Sequence, residues 1–176
     1  MSLEERITDL KERQRALTGA LIAVRKPTIA ALPGAAAGAG LAIALACDIR
    51  IAAQSAFVSA GYARVGLSGD YGIAWLLTRA VGSPIARELM FTSDRVDAVR
   101  AERIGLFNRI VPDATLQADA FNLAKSLAEG PQVALRFMKD NLDQALAVDF
   151  ATCLDGEAGK LVRSSRTADH QEAVRA

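Results

Sequence analysis

The chain has 176 residues, of which 51% are hydrophobic and 23% charged, a balance typical of a globular protein rather than a disordered one. The formal net charge of +1 argues against nucleic acid as a main partner. Two cysteines and a single histidine, His170, argue against a disulfide scaffold, most metal sites and a histidine-based catalytic triad. The length predicts one domain with a sizeable core, and the first residues show no signal peptide, so we expect a cytoplasmic protein.

The chain begins with a predicted amphipathic helix over residues 4–24, with charges on one face and apolar residues on the other. The apolar face consists of Ile7, Leu10, Leu17, Leu21 and Val24. Pro27 ends this helix, and the short apolar run from Thr28 to Leu32 predicts the strand that follows it.

The rest of the chain is organised around a glycine- and alanine-rich stretch that follows this strand. Pro33-Gly34 breaks the apolar run, Gly34 to Gly40 is predicted to be a loop, and a helix is predicted from about Ala39. A strand, a turn and a loop that lead into a helix bring unpaired backbone N–H groups together at the helix start, where negative charge is favoured. The small side chains would let a ligand approach the backbone closely.

Several interpretations of this stretch compete. Residues 27–47 carry no charge, but a membrane span is disfavoured because the stretch is built from alanine and glycine and is cut by Pro33-Gly34. A dinucleotide fingerprint is rejected because Ile43 stands where its third small residue belongs. A tightly packed buried helix and a backbone oxyanion hole both remain open on the residues alone.

Strands and helices alternate in the middle of the chain, as an α/β core requires. The predicted strands are Asp48 to Ala53, Phe57 to Ser59 and Asn108 to Val111. Residues 60–70 are glycine-rich and predict a loop. The predicted helices run from Tyr71 to Val81, from Ser83-Pro84 to about Phe91, and from a cap at Asp97 to Gly105.

From Thr115 onward the pattern predicts helices only. Two apolar stripes are separated by Gly130-Pro131, a further helix is predicted from Phe150 to Arg163, and a last one begins after Thr167. We therefore divide the chain into an α/β core of residues 1–114 and a helical region of residues 115–176.

The order of short motifs resembles the enoyl-CoA hydratase/isomerase (crotonase) family from Lys26 to the C-terminus. The motifs are Lys26-Pro27-Thr28-Ile29-Ala30-Ala31, Gly34, Gly38, Gly40, Ala46-Cys47-Asp48-Ile49-Arg50-Ile51-Ala52, Val65-Gly66-Leu67, Leu77-Thr78-Arg79, Val81-Gly82, Ala101-Glu102, Gly105-Leu106 and Ile110-Val111-Pro112. The resemblance implies a partial crotonase-like spiral of β-β-α units, followed by an all-helical oligomerisation region.

The resemblance also implies the ligand and the assembly. The substrate would be an acyl-CoA thioester, with coenzyme A as part of the substrate rather than a cofactor, and with no metal, nucleic acid or membrane as partner. The protein would form a homotrimer or a hexamer. Only 25 residues precede Lys26, so we expect this chain to lack the first half of the family's domain, including one oxyanion donor and part of the coenzyme A site.

Candidate site residues follow from the same alignment with the family. The backbone N–H of Ala39 would be an oxyanion donor, while Ala42 and Tyr62 would occupy the positions of the two glutamates that handle water and proton in hydratases. Neither residue has a carboxylate, and hydration needs titratable groups beside the reacting carbons. Gly38, Gly40, Gly66 and Leu67 complete the predicted substrate-binding set. The resemblance therefore implies double-bond isomerisation or related enolate chemistry rather than standard hydration, and a catalytically silent CoA-binding or assembly protein is the alternative.

Asp70 is the one nearby carboxylate, and it resembles an aspartate that isomerase branches of the family place in the same loop. It is predicted to be catalytic, as the base of the isomerisation. Because an aspartate before a helical run is also a common N-cap, a purely structural role stays open at this point. A nucleophile elbow at Ser68 is rejected, since its final glycine is missing.

Overall fold

The computed structural model describes residues 1–175, and these form two compact units. The first unit consists of Met1–Val24 and Thr28–Phe121, and the second consists of Arg25–Pro27 and the residues from Asn122 onward. The division of the chain between residues 114 and 115 stays a prediction.

A helical segment opens the first unit, as predicted. It consists of α1 (Leu3–Gln14), a wider π-helical turn (Arg15–Gly19) and α2 (Ala20–Ile22). A capping box begins it, because the hydroxyl of Ser2 accepts from the N–H of Glu5 while the N–H of Ser2 donates to the Glu5 carboxylate. Ile7 and Leu10 on the apolar face stay more than a third exposed.

Two three-stranded sheets form the centre of this unit. The first sheet has the order β1 (Ile29–Leu32), β3 (Ile49–Ala53), β6 (Arg109–Val111), and all its strands are parallel. The second has the order β2 (Ala35–Ala37), β4 (Phe57–Ser59), β5 (Val96–Asp97); β4 is parallel to β2 and antiparallel to β5. The α/β class is confirmed.

Strand β2 differs from the sequence-based expectation of a continuous loop from Gly34 to Gly40. Alanine is a poor strand former, so the sequence carries no local signal for it. The strand forms because Ala35–Ala37 pairs with Phe57–Ser59 in a parallel ladder, which is a tertiary contact. The loop prediction is therefore wrong for these three alanines.

The helices of the first unit begin and end close to the predicted positions. They are α3 (Ala39–Leu45), α4 (Ile73–Thr92) and α5 (Ala98–Arg103). The side chain of Asp97 accepts from the N–H of Arg100 at 2.8 Å and caps α5, as predicted. Helix α4 begins two residues later than predicted because Tyr71 and Gly72 have positive φ, 50° and 76°.

The core of the first unit fills the space between these elements. Its largest fully buried side chains are those of Leu41, Ile51, Ile73, Leu77, Leu106, Leu116, Val58, Val96 and Ser93. All but one are apolar, and they come from both sheets and from α3 and α4, so burial of apolar surface holds the two sheets and these helices together.

The second unit is helical, as predicted for this part of the chain. It contains most of α6 (Leu116–Glu129), followed by α7 (Gln132–Ala145), α8 (Phe150–Ser164) and α9 (Ala168–Arg175). Lys160 Nζ on α8 donates to the side-chain oxygens of Asn141 and Gln144 on α7, at 2.7 and 3.0 Å. None of the helices within residues 1–175 is long and apolar enough to cross a membrane.

Glycine is required at the break in α4. Gly82 has φ 75° and ψ 162°, a backbone conformation that is essentially restricted to glycine, and it separates two helical runs.

We expect Gly82→Ala to lower the free energy of unfolding by about 1–3 kcal/mol. The matched control is Gly159→Ala, because Gly159 lies inside α8 and a Cβ added there would meet no heavy atom within 4 Å; it should stabilise the protein by about 0.8–1.0 kcal/mol. Melting temperatures that move in the same direction for both variants would contradict this account.

Candidate active site

The predicted oxyanion donor lies at the start of α3. Gly38 precedes the helix and is anchored from both sides: its N–H donates to the carbonyl of Ser59 and its carbonyl accepts from the N–H of Ala42, each at 3.1 Å. The N–H of Ala39 is the first of the helix, and within residues 1–175 no backbone or side-chain acceptor takes it. This amide is therefore available to an oxygen of a ligand.

Tyr62 and Asp70 form a hydrogen-bonded pair beside this helix start. The Tyr62 hydroxyl donates to Asp70 Oδ1 at 2.6 Å. A Cβ added at Gly38 would lie 3.7 Å from both Cζ and Oη of Tyr62, so the phenol ring packs directly against the glycine. The structure thus brings Gly38, Ala39, Tyr62 and Asp70 together, although 32 positions separate the first from the last.

The phenol of Tyr62 is held in its protonated form. Only 7% of the residue is exposed. Burial, followed by the hydrogen bond and the negative charge of Asp70, raises the pKa of Tyr62 well above its usual value near 10. Tyr62 therefore acts as a hydrogen-bond donor at neutral pH and cannot serve there as a base.

Asp70 does not cap α4, so its interpretation as an N-cap is wrong. Helix α4 begins at Ile73, Gly72 occupies the cap position, and no side chain caps the helix. Only the backbone carbonyl of Asp70 takes part, accepting from the N–H of Ile73 at 3.1 Å. The positive φ of Tyr71 and Gly72 places two residues between Asp70 and the helix, and the carboxylate binds Tyr62 instead.

Two contacts fix the loop that carries Asp70. Gly69 has φ 110°, and a Cβ there would lie 2.9 Å from Cγ2 of Ile73 and 3.3 Å from Cε of Met90, so the backbone packs against the core at this point. On the other side, the N–H of Tyr71 donates to the side-chain oxygen of Gln14 at 2.6 Å. The carboxylate of Asp70 is therefore carried by a backbone that is held at both ends.

Ser93 is a supporting residue that the sequence analysis missed. It is fully buried with φ 52°. Its hydroxyl accepts from the N–H of Ala63, and its carbonyl accepts from the hydroxyl of Ser59 at 2.8 Å. Because Ser59 also binds Gly38, Ser93 connects the segment of Tyr62 with the start of α3. A serine between Thr92 and Asp94 resembles any loop residue, and no local signal would have identified it.

The other predicted substrate-binding residues differ in how far they are exposed. Gly66 and Leu67 follow a 3₁₀ turn (Ala63–Val65) and are exposed, Leu67 by 63%. Gly40 is also exposed, whereas Ala42 has no exposed surface in this chain. Their roles in binding stay predictions.

A groove of about 410 Å³ lies within the first unit, and its lining includes Tyr71, the residue after Asp70. The residues along it include Gln14 and Ile22 on one side and Tyr71, Trp75 and Leu76 on the other. Trp75 is 52% exposed, and the guanidinium of Arg79 lies 3.9 Å from the centre of its ring. Trp75 therefore belongs to the wall of a groove rather than to the core.

The two sheets and the helix-start amide place this chain in the class of crotonase-fold proteins. It superposes on the crystal structure of an enoyl-CoA hydratase/isomerase from Cupriavidus metallidurans CH34 with a TM-score of 0.93 and 33% identity, covering 99% of this chain and 66% of that one. An enoyl-CoA hydratase from Polaromonas sp. JS666 gives a TM-score of 0.93 with 31% identity, covering 99% and 68%. The family model for enoyl-CoA hydratase/isomerase matches residues 2–176. The chain belongs to the enoyl-CoA hydratase/isomerase family, a family of enzymes, and the predicted resemblance is confirmed.

Curated relatives carry two kinds of names. The chain is 37% identical to a short-chain-enoyl-CoA hydratase of Clostridioides difficile, over 85% of this chain and 96% of that protein. It is 33% identical to a short-chain-enoyl-CoA hydratase of Clostridium acetobutylicum, and 37% identical to the 1,2-epoxyphenylacetyl-CoA isomerase of Escherichia coli K12. The match to the Clostridium acetobutylicum protein includes 87% of this chain and 59% of that protein. The match to the Escherichia coli protein includes 86% of this chain and 58% of that protein.

The bond between Tyr62 and Asp70 has a spectroscopic signature that does not depend on activity. In a Tyr71→Phe background Tyr62 is the only tyrosine left, so phenolate absorbance reports its ionisation alone. We expect this tyrosine to ionise well above pH 10, because burial and the carboxylate both disfavour the phenolate. Adding Asp70→Asn should lower its pKa, because the negative charge is removed.

The same shift predicts how stability depends on pH. A pKa that is raised by folding contributes stability that is fully present below the unfolded value, near 10, and is lost as the pH rises toward the folded value. Alkaline unfolding of the Tyr71→Phe protein should therefore be steeper above about pH 10 than that of a protein that also carries Tyr62→Phe. A Tyr62 that titrates near pH 10, and is insensitive to Asp70→Asn, would contradict the geometry.

Proposed function

We propose that the protein acts on an acyl-CoA thioester and moves a proton between two carbons of its acyl chain. The thioester oxygen would accept from the N–H of Ala39, and Asp70 would be the base. The observation that carries this proposal is the position of the Asp70 carboxylate, which is bound to Tyr62 beside Gly38 at the start of α3.

The charges and side chains of this site favour isomerisation over water addition. Hydration needs one group to activate water and a positioned proton donor for the other carbon. Ala42 offers neither, and Tyr62 keeps its proton. A single carboxylate suffices for isomerisation: Asp70 takes a proton from one carbon, the negative charge delocalises onto the thioester oxygen near Ala39 N, and the protonated Asp70 delivers a proton to another carbon. All atoms of the substrate are retained in the product.

The names of the relatives support enolate chemistry in general. Two are called hydratases and one is called an isomerase of a CoA thioester. An enzyme that binds the thioester through the same backbone amide could perform either reaction, so the side chains around that amide decide which reaction occurs. In this chain they leave one identifiable base.

The decisive variant is Asp70→Asn, which keeps the shape of the side chain and removes the base. We expect turnover of a 3-enoyl-CoA to fall by about 10²–10⁴-fold. The matched control is Asp94→Asn, because the Asp94 side chain is 62% exposed and, among residues 1–175, its carboxylate makes one long ion pair, with Arg64 at 3.7 Å; this variant should match the wild type.

Melting temperatures serve as the folding control for both variants. Equal turnover by wild type and Asp70→Asn would refute the assignment of the base. Efficient hydration of a 2-enoyl-CoA by the variant would refute the preference for isomerisation. A folded protein that binds the thioester without any turnover would favour the catalytically silent alternative.

We also propose that the protein is a homotrimer or a hexamer assembled through its helical region. Large apolar side chains remain more than half exposed on the helices after Thr115. They include Phe121, Met138, Leu142, Phe150, Leu154, Leu161 and Val162. Exposed apolar surface of this kind is characteristic of interfaces, and closed symmetry is the norm for soluble oligomers.

Light scattering at micromolar concentration tests the assembly. We expect a mass of three or six chains for the wild type and a smaller mass for Leu142→Glu combined with Leu161→Glu, since two charges would be buried at the interface. Gln117→Glu, at an exposed polar position of α6, is the control and should leave the mass unchanged. A monomeric wild type would contradict the proposal.

A further inference from the structure

The Asp70 carboxylate has one side-chain partner among residues 1–175. Its Oδ1 accepts from the hydroxyl of Tyr62, and no other side chain binds either carboxylate oxygen. A carboxylate on a loop has two rotatable side-chain bonds, so a single short hydrogen bond decides which way it faces. Oδ2 is left without a protein donor and is therefore the oxygen that can exchange a proton.

Several contacts hold the segment that carries Tyr62. Its backbone carbonyl accepts from the N–H groups of Val65 and Leu67, at 3.1 and 3.0 Å. The next residue, Ala63, donates to the buried hydroxyl of Ser93. The ring packs against Gly38 on one side, and its Cδ2 would lie 4.0 Å from a Cβ at Gly69. Few rotations are open to this phenol.

We infer that Tyr62 is a positioning residue, whose hydroxyl orients the Asp70 carboxylate so that Oδ2 faces the reacting carbons. This differs from the substrate-binding role predicted for Tyr62, because the hydroxyl acts on the base and not on the ligand. The inference rests on the proposed function, in which Asp70 is the base. The raised pKa of the phenol supports it, because a tyrosine that stays protonated remains a donor through the whole cycle.

Tyr62→Phe is the first test, because it removes the hydroxyl and keeps the buried ring. We expect this variant to lower kcat by about 10- to 100-fold, because the transition state loses a hydrogen bond to a charged group. KM should change by less than about twofold, because the substrate loses no contact. Ser126→Ala is the control; it removes an exposed hydroxyl on α6, in the second unit and outside this site, and should leave both constants unchanged.

A double-mutant cycle separates positioning from direct action on the substrate. If Tyr62 acts only through Asp70, Tyr62→Phe should cost nothing further in an Asp70→Asn background. The same loss in both backgrounds would overturn the inference, as would a raised KM with an unchanged kcat. Wild-type kinetics for Tyr62→Phe would overturn it as well.

Asp70→Glu keeps a carboxylate but moves it. This variant is a second test of the inference if Tyr62→Phe folds poorly. We expect it to lose about as much kcat as Tyr62→Phe, because the longer side chain cannot hold the 2.6 Å geometry. Full activity of Asp70→Glu would overturn the positioning role while leaving the base assignment intact. An Asp70→Asn variant as active as the wild type would instead overturn the proposed function and this inference together.

Discussion

The hydrogen bond between Tyr62 and Asp70 is the interaction on which the proposed chemistry of this site depends. It joins the segment after β4 to the loop before α4, and it does so beside the first amide of α3. Among residues 1–175 no other side chain binds the Asp70 carboxylate, so this bond alone fixes the direction in which the carboxylate faces. Burial raises the pKa of the phenol, so Tyr62 stays protonated and is the donor of this hydrogen bond, while Asp70 is the acceptor.

The surrounding fold maintains this contact through backbone groups. The carbonyl of Ser59 fixes Gly38, the hydroxyl of Ser59 binds Ser93, and Ser93 receives the N–H of Ala63. Strand β4 therefore holds both the start of α3 and the segment of Tyr62 in one hydrogen-bonded frame. Such a frame would preorganise the proposed site, because these backbone groups are already held by hydrogen bonds before a ligand binds. A strained, buried Ser93 at φ 52° fits this role, because positive φ in a residue other than glycine persists only where surrounding contacts enforce it.

The sequence predicted the parts of this arrangement that depend on local signals. The break at Gly82 and the cap at Asp97 follow from the chemistry of single residues, and the α/β alternation follows from the hydrophobic pattern. Strand β2 could not be predicted, because three alanines become a strand only through their partner strand. The sequence left Asp70 open to a role as a cap and to a role as a base, and the positive φ of Tyr71 and Gly72 excludes the cap. The link through Ser93 depends on contacts 30 or more residues apart.

The central claim is that Asp70 moves protons at the carbon next to the thioester. The most direct measurement is the incorporation of deuterium into a saturated acyl-CoA in D₂O, followed by proton NMR, because it needs neither a double bond nor added water. The account predicts that the wild-type protein exchanges the protons beside the thioester carbonyl and that Asp70→Asn loses this exchange, while Asp94→Asn retains it. Exchange at the wild-type rate in the folded Asp70→Asn protein would contradict the account.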